Sequence, residues 1–125
     1  MAELHVEVVS AERGVWSGQA REVIARTSEG ELGVLPGHAP LLGQLADGGV
    51  VRILIEGADE VLVAVHGGFL SVTDEGVTVL AEVAELASDI DTGRARTALE
   101  RARAQDDAEA ARRAEGRLRA AGQPA

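Results

Sequence analysis

Gly30 to Leu42 reads GELGVLPGHAPLL, and this run constrains the chain more than any other. Glycine opens positive φ and proline holds φ near −65°, so a segment with this spacing turns sharply at least twice. Pro36-Gly37 is a turn signal by itself. Ala39-Pro40 returns the backbone to extended geometry. The apolar residues between them (Leu32, Val34, Leu35, Leu41, Leu42) require partial burial. The expectation is a rigid corner between two strands, with Glu29, Glu31 and His38 on its surface.

The flanking sequence is written for strands. Leu4, Val6 and Val8 alternate with His5, Glu7 and Val9, a period of two with one wet face. Val15-Trp16 starts a short strand that Ser17-Gly18 is expected to stop, and Arg21 to Thr27 forms another. Asp47-Gly48-Gly49 has the composition of a hairpin turn. Val50–Ile55, Val61–Val65, Phe69–Val72 and Val77–Ala81 follow as short apolar runs with turn residues between them. Gly67-Gly68 marks a bulge or a close backbone contact. This spacing predicts a mainly β domain, a sandwich of about eight to ten short strands packed as two sheets.

The pattern changes near Ser88. Residues 1–87 carry 14 acidic and 4 basic groups, whereas residues 88–125 carry 7 acidic and 8 basic ones. Ala95, Ala98, Leu99 and Ala102 fall on one helix face, and Ala111, Ala114, Leu118 and Ala121 on another. Gln105-Asp106-Asp107 offers a break and an N-cap, Ser88 with Asp91 a capping box, and Gly122 with Pro124 a stop. The domain reading is therefore a β-sandwich over 1–87 and a C-terminal antiparallel helical hairpin over 88–125. Each helix is about four turns, a length at which isolated helices are marginal. The seam is mostly alanine, so the hairpin is expected to be mobile, its placement decided by a partner or ligand.

Composition excludes several chemistries. The chain has no cysteine, which removes disulfides and thiolate metal sites. It has no lysine, so the usual phosphate-binding loop cannot form. A net charge of −9 lacks the basic footprint of a nucleic-acid binder. The N-terminus lacks a signal-peptide pattern, and no apolar run approaches the ~20 residues that span a bilayer. The expectation is a soluble chain that reaches a membrane only through a complex. No catalytic constellation is present. Gathering His5, His38 and His66 around a metal would make the chain a metal-dependent β-sandwich enzyme, the remote alternative.

One arrangement suggests a ligand. Arg94 and Arg117 are about equally far from the expected helix–helix turn and should lie level, with Arg113 one turn from Arg117. Guanidinium groups there could fork onto an anion. The simpler reading is that Asp91 caps the helix and Arg94 pairs with it, leaving the other arginines as a solvated face.

Four segments in this order resemble the epsilon subunit of bacterial F-type ATP synthases. They are GELGVLPGHAPLL, then GGFLSV at Gly67–Val72, VTVLAEVAE at Val77–Glu85, and IDTGRA at Ile90–Ala95. The resemblance covers nearly the whole chain. It implies a β-sandwich with a C-terminal helical hairpin and a non-catalytic place in the central stalk of a proton-translocating rotor. That place is peripheral, on the cytoplasmic side of the bacterial cell membrane. The implied partners are the gamma subunit, the ring of c subunits and the alpha and beta catalytic subunits. Glu29, Gly30, Glu31 and His38 would form the surface toward the c-ring, and the helical tail would inhibit ATP hydrolysis. Some members also bind regulatory ATP, and Glu85, Asp91, Arg94, Ala95, Arg113 and Arg117 match the positions they use. Gly93 in the first helical turn and a short hairpin depart from those members. No other cofactor, no metal and no catalytic residue are implied.

Overall fold

The computed structural model describes residues 3–124; the ends of the two predicted domains at residues 1, 2 and 125 lie outside it. The alternating N-terminus is β1 (Leu4–Ser10), followed by β2 (Gly14–Ala20), β3 (Glu22–Thr27), β4 (Gly30–Val34) and β5 (Leu41–Gln44). Then come β6 (Gly49–Leu54), β7 (Val61–Thr73) and β8 (Gly76–Leu86). A single 3₁₀ turn (Ala87–Asp89) leads to α1 (Thr92–Ala104) and α2 (Ala108–Ala120).

The strands form one continuous hydrogen-bonded path, in the order β2-β1-β8-β7-β6-β3-β4, with β5 also on β7. Among the described residues only β1 and β8 run parallel. A Thr27–Leu45 bridge ties β3 to the start of the β5–β6 connection. Val6 and Val8 from one end of the path and Val23, Ala25 and Val34 from the other meet in one buried cluster. The path is thus folded into a sandwich with a core of Val, Ile, Leu and Ala, as β-branched side chains favour. No helix among the described residues is long and apolar enough to cross a membrane.

Three expectations about the strands need correction. β2 does not stop at Ser17-Gly18, because Gly18 leaves the space that the Trp16 ring occupies; a Cβ there would lie 2.7 Å from it. The segments at Val61 and Phe69 are one strand. Val63 and Val65 face the core before Gly67-Gly68, and Leu70 and Val72 after them. The two glycines, at φ +67° and +125°, let the strand change face, while its pairing with β8 keeps one register throughout. Asp47-Gly48-Gly49 is not a hairpin either. β5 pairs with Phe69–Val72 and β6 with Val61–Val65, so both run the same way along one edge of β7. The connection between them bulges outward as a turn, closed from Gly49 N–H to the Ala46 carbonyl at 3.3 Å.

The signature segment divides into β4, a turn and β5. The turn is closed by the His38 N–H on the Leu35 carbonyl at 3.1 Å, with Gly37 at φ +85°. Ser88 is exposed and does not cap α1. The 3₁₀ turn intervenes, and Asp91 caps instead, accepting the Arg94 N–H at 3.1 Å. Asp106, at φ +53°, ends α1 in the left-handed conformation. Asp107 then donates its N–H to Ala102 and caps α2 with its side chain at 3.1 Å from the Ala110 nitrogen. Ala95, Leu99, Ala114 and Leu118 form the seam between the helices. Burying each leucine contributes about 1.5–3 kcal/mol.

Two outcomes follow. Asp107→Ala removes the α2 cap and should weaken the hairpin by about 1 kcal/mol, seen as faster amide exchange in α2 with the strands unchanged. Gly68→Ala would drive a Cβ into the Leu80 carbonyl. It should lower global stability by about 2 kcal/mol or more, read from the denaturant midpoint; an unchanged midpoint would contradict the account of β7.

Candidate functional site

The hairpin lies on the sandwich, and α2 is the helix that contacts it, against β6 and β7. One stripe of α2 faces α1; a second stripe (Glu109, Arg112, Gly116, Arg119, Ala120) faces the sheet. Glu109 Oε1 is 3.1 Å from His66 Nε2. His66 is 5% exposed, and its Nδ1 has no hydrogen-bond partner among the described residues, with Asp47 Oδ1 3.8 Å away. Arg112 also approaches Asp47 at 3.8 Å. Arg119 Nη2 donates to the Gly48 carbonyl at 2.7 Å. Arg117 Nε donates to Glu85 Oε1 at 2.9 Å, both side chains more than two-thirds buried. The tail expected to await a partner or ligand therefore has a dock on its own sandwich.

A cleft of about 250 Å³ opens between α2 and the β7–β8 pair, lined by Ala64, His66, Val83, Glu85, Arg113 and Arg117 among others. Arg113 is exposed at its rim and makes no ion pair among the described residues. The volume is below the ~300–1,000 Å³ of a site that encloses a whole drug-sized ligand. The structure thus brings together Glu85, Arg113 and Arg117 and leaves out Asp91, Arg94 and Ala95. Asp91 is engaged as the α1 cap. Arg94 is exposed outside the cleft, and Ala95 is fully buried in the interhelical seam. Arg117 is engaged with Glu85 on β8, away from Arg94.

The residues expected on the c-ring side are exposed or partly exposed, but they do not form one cluster. Glu29 and Gly30 sit in the β3–β4 turn, where Thr27 Oγ1 donates to the Gly30 carbonyl at 2.9 Å. Glu31 borders a groove with Arg26, Asp47, Gly48 and Arg119. His38 lies beyond the other end of β4, about 13 Å further along at ~3.3 Å per residue. There it borders a groove with His5 and the β7–β8 turn. His66 is elsewhere, under α2, so the three histidines do not converge, and the described residues include no group of three metal-ligating side chains.

Reasoning from sequence missed His66, Asp47, Gly48, Glu109, Arg112, Gly116 and Arg119 as contacts between the two parts. One signal was available. Gly116 stands inside a helix otherwise built from Ala, Glu, Arg and Leu, where glycine costs about 1 kcal/mol relative to alanine, and such a residue marks close approach.

On the outer face of β5, β7 and β8, Leu42, Phe69 and Leu80 are 71%, 49% and 52% exposed. Phe69 is paired with Leu80 across the β7–β8 ladder and with Gln44 across the β5–β7 ladder. This is an apolar strip on the part of the chain, residues 1–87, that carries 14 acidic and 4 basic groups.

Comparison with known proteins matches residues 3–87 to the β-sandwich domain of the ATP synthase delta/epsilon chain. The chain is 56% identical to the ATP synthase epsilon chain of Streptomyces avermitilis over 119 residues, covering 95% of each. It is 55% identical to that of Rhodococcus opacus, covering 96% of this chain and 97% of the relative. For Mycobacterium avium the identity is 52% over 98% of both. Among solved structures it resembles a chain of the Euglena gracilis mitochondrial ATP synthase (OSCP/F1/c-ring, rotational state 1). The TM-score is 0.73 at 31% identity, over 94% of this chain and 76% of that one. A chain of the Tetrahymena thermophila mitochondrial ATP synthase central stalk and c-ring shares the fold, with a TM-score of 0.55 at 14% identity. With the sandwich matched by the family model and the whole length matched by bacterial relatives, the chain belongs to the ATP synthase delta/epsilon family, with the epsilon chains.

Proposed function

We propose that this chain is a non-catalytic subunit of the central stalk of a bacterial F-type ATP synthase. Its sandwich would be held between a gamma subunit and the c-ring, and its hairpin would act as a brake on ATP hydrolysis. It would be bound to the membrane peripherally, through the complex. The observation that carries the brake is the way the hairpin is docked. α2 lies on the sheet through ion pairs, a glycine contact and alanine, with no large apolar side chain of its own driven into the sandwich. A helix pair held this way is released at modest cost, and its outward arginines are then free to meet acidic groups on the catalytic subunits. Such charge complementarity selects a partner more than it adds affinity. The strip of Leu42, Phe69 and Leu80 supports a protein partner on the sandwich, since exposed apolar patches mark interfaces. The Euglena relative comes from an assembly that contains F1 and a c-ring, in keeping with these partners.

A second reading, compatible with the first, is that the docked hairpin senses ATP. It is favoured by the cleft in which Arg113, beside the Glu85–Arg117 pair, has no ionic partner among the described residues. ATP phosphates would take Arg113 as an added cationic donor and so hold α2 against β8.

Two measurements address these readings. Catalytic sectors stripped of this subunit should hydrolyse ATP more slowly when the full chain is added back. A version ending at Ala87 should not slow them; equal rates would discard the brake. ATP titrated into the free chain should release heat and protect hairpin amides, and Arg113→Ala should weaken that binding roughly tenfold or more. The absence of both heat and protection with the unaltered chain would discard ATP sensing.

A further inference from the structure

We propose that the backbone contact between Gly48 and Gly116 is the lock that holds the hairpin on the sandwich, so that residue 116 sets the balance between docked and released forms. The proposal deepens the reading of the hairpin as a movable brake and rests on it for its regulatory meaning. The contact itself is independent of that reading.

Gly116 has no local reason to be glycine. It lies in the interior of α2 and is not among the residues with positive φ. In such a position glycine costs about 1 kcal/mol relative to alanine. Its reason is tertiary. A Cβ on Gly116 would lie 2.5 Å from the Gly48 carbonyl oxygen, 2.8 Å from its carbon and 2.9 Å from its Cα. All three are backbone atoms, which cannot rotate aside as a side chain can. The fit is reciprocal. Gly48 has φ +68°, and a Cβ there would collide with the Arg112 carbonyl. Arg112 and Gly116 are one helical turn apart, so the outward turn between β5 and β6 is clasped against a single stripe of α2. Arg119, on the same stripe, donates to the Gly48 carbonyl at 2.7 Å.

The other contacts across this interface are made by side chains, the Arg117–Glu85 pair at 2.9 Å among them. Arg112–Asp47 is long at 3.8 Å, and Glu109, which reaches His66, is 61% exposed at its side chain. Long charged side chains re-pair after a small shift, whereas two touching backbones do not. The glycine contact is therefore the all-or-nothing element, because one added methyl group displaces α2 from every partner on the sheet at once. Helix formation itself is favoured by the same change, so undocking and helix weakening are driven in opposite directions.

The test is amide hydrogen exchange on the full-length free chain, comparing the unaltered protein with Gly116→Ala and Gly93→Ala. Gly93 is the control: it is exposed on α1, and a Cβ there meets only Asp91 Oδ1, at an ordinary 3.4 Å. The expected result is hairpin exchange faster by about tenfold or more in Gly116→Ala, the range of an overpacked contact. Strand amides should be unchanged, and Gly93→Ala should be no faster than the unaltered chain. Hairpin exchange at the unaltered rate in Gly116→Ala would overturn the lock. Equal acceleration of the strands would overturn it too, because the contact would then belong to the folding core. A released hairpin whose variant leaves ATP hydrolysis by the assembled complex unaltered would uphold the lock and remove the brake.

Discussion

β7 carries the pairing that the rest of the sandwich depends on. One edge is taken along its length by β8; the other is shared end to end by β5 and β6. A 13-residue strand with a single face toward the core would require strict alternation throughout, and this one does not keep it. Gly67 and Gly68 let the strand exchange its faces without losing register with β8. Near the same point the partner edge breaks between β5 and β6, where the Leu45 N–H still reaches the Gly68 carbonyl at 2.9 Å. The break pushes Ala46–Gly48 out of the sheet. The docking point for the hairpin is therefore a by-product of how the sheet bends.

That origin explains the chemistry of the interface. A turn projecting from a sheet presents backbone and short polar side chains, with little apolar surface. α2 answers with glycine, alanine and arginine. The apolar side of α2, Ala114 and Leu118, is spent on α1. The hairpin is thus a small unit with its own seam and a polar, close-fitting underside, which suits a part that docks and leaves. The buried His66, whose Nε2 meets Glu109, belongs to the same design, since a ring with a polar partner ties the helix to β7 without a large apolar contact.

Much of this was legible in the residues. Period-two alternation marked β1, and apolar runs marked most of the other strands. Helical spacing of alanine and leucine identified both sides of the interhelical seam, and Asp107 was readable as a cap. Those features are local, because each is set by neighbours within about four positions. The candidate ligand residues were legible only in part. Glu85, Arg113 and Arg117 converge, while Asp91 and Arg94 stay at the start of α1, because side-chain direction depends on how the hairpin is rotated against the sheet.

The sequence by itself determined the two-part organisation, the strand and helix types, the seam between the helices and the family. Only the tertiary structure decided that Asp47-Gly48-Gly49 is an outward bulge, that β7 is one strand, and that Gly116 meets Gly48. The physical reason is the range of the interactions. Propensity, capping and periodicity act through adjacent residues, whereas the Gly48–Gly116 contact joins positions far apart in the chain. Its only trace in the sequence is the absence of a side chain.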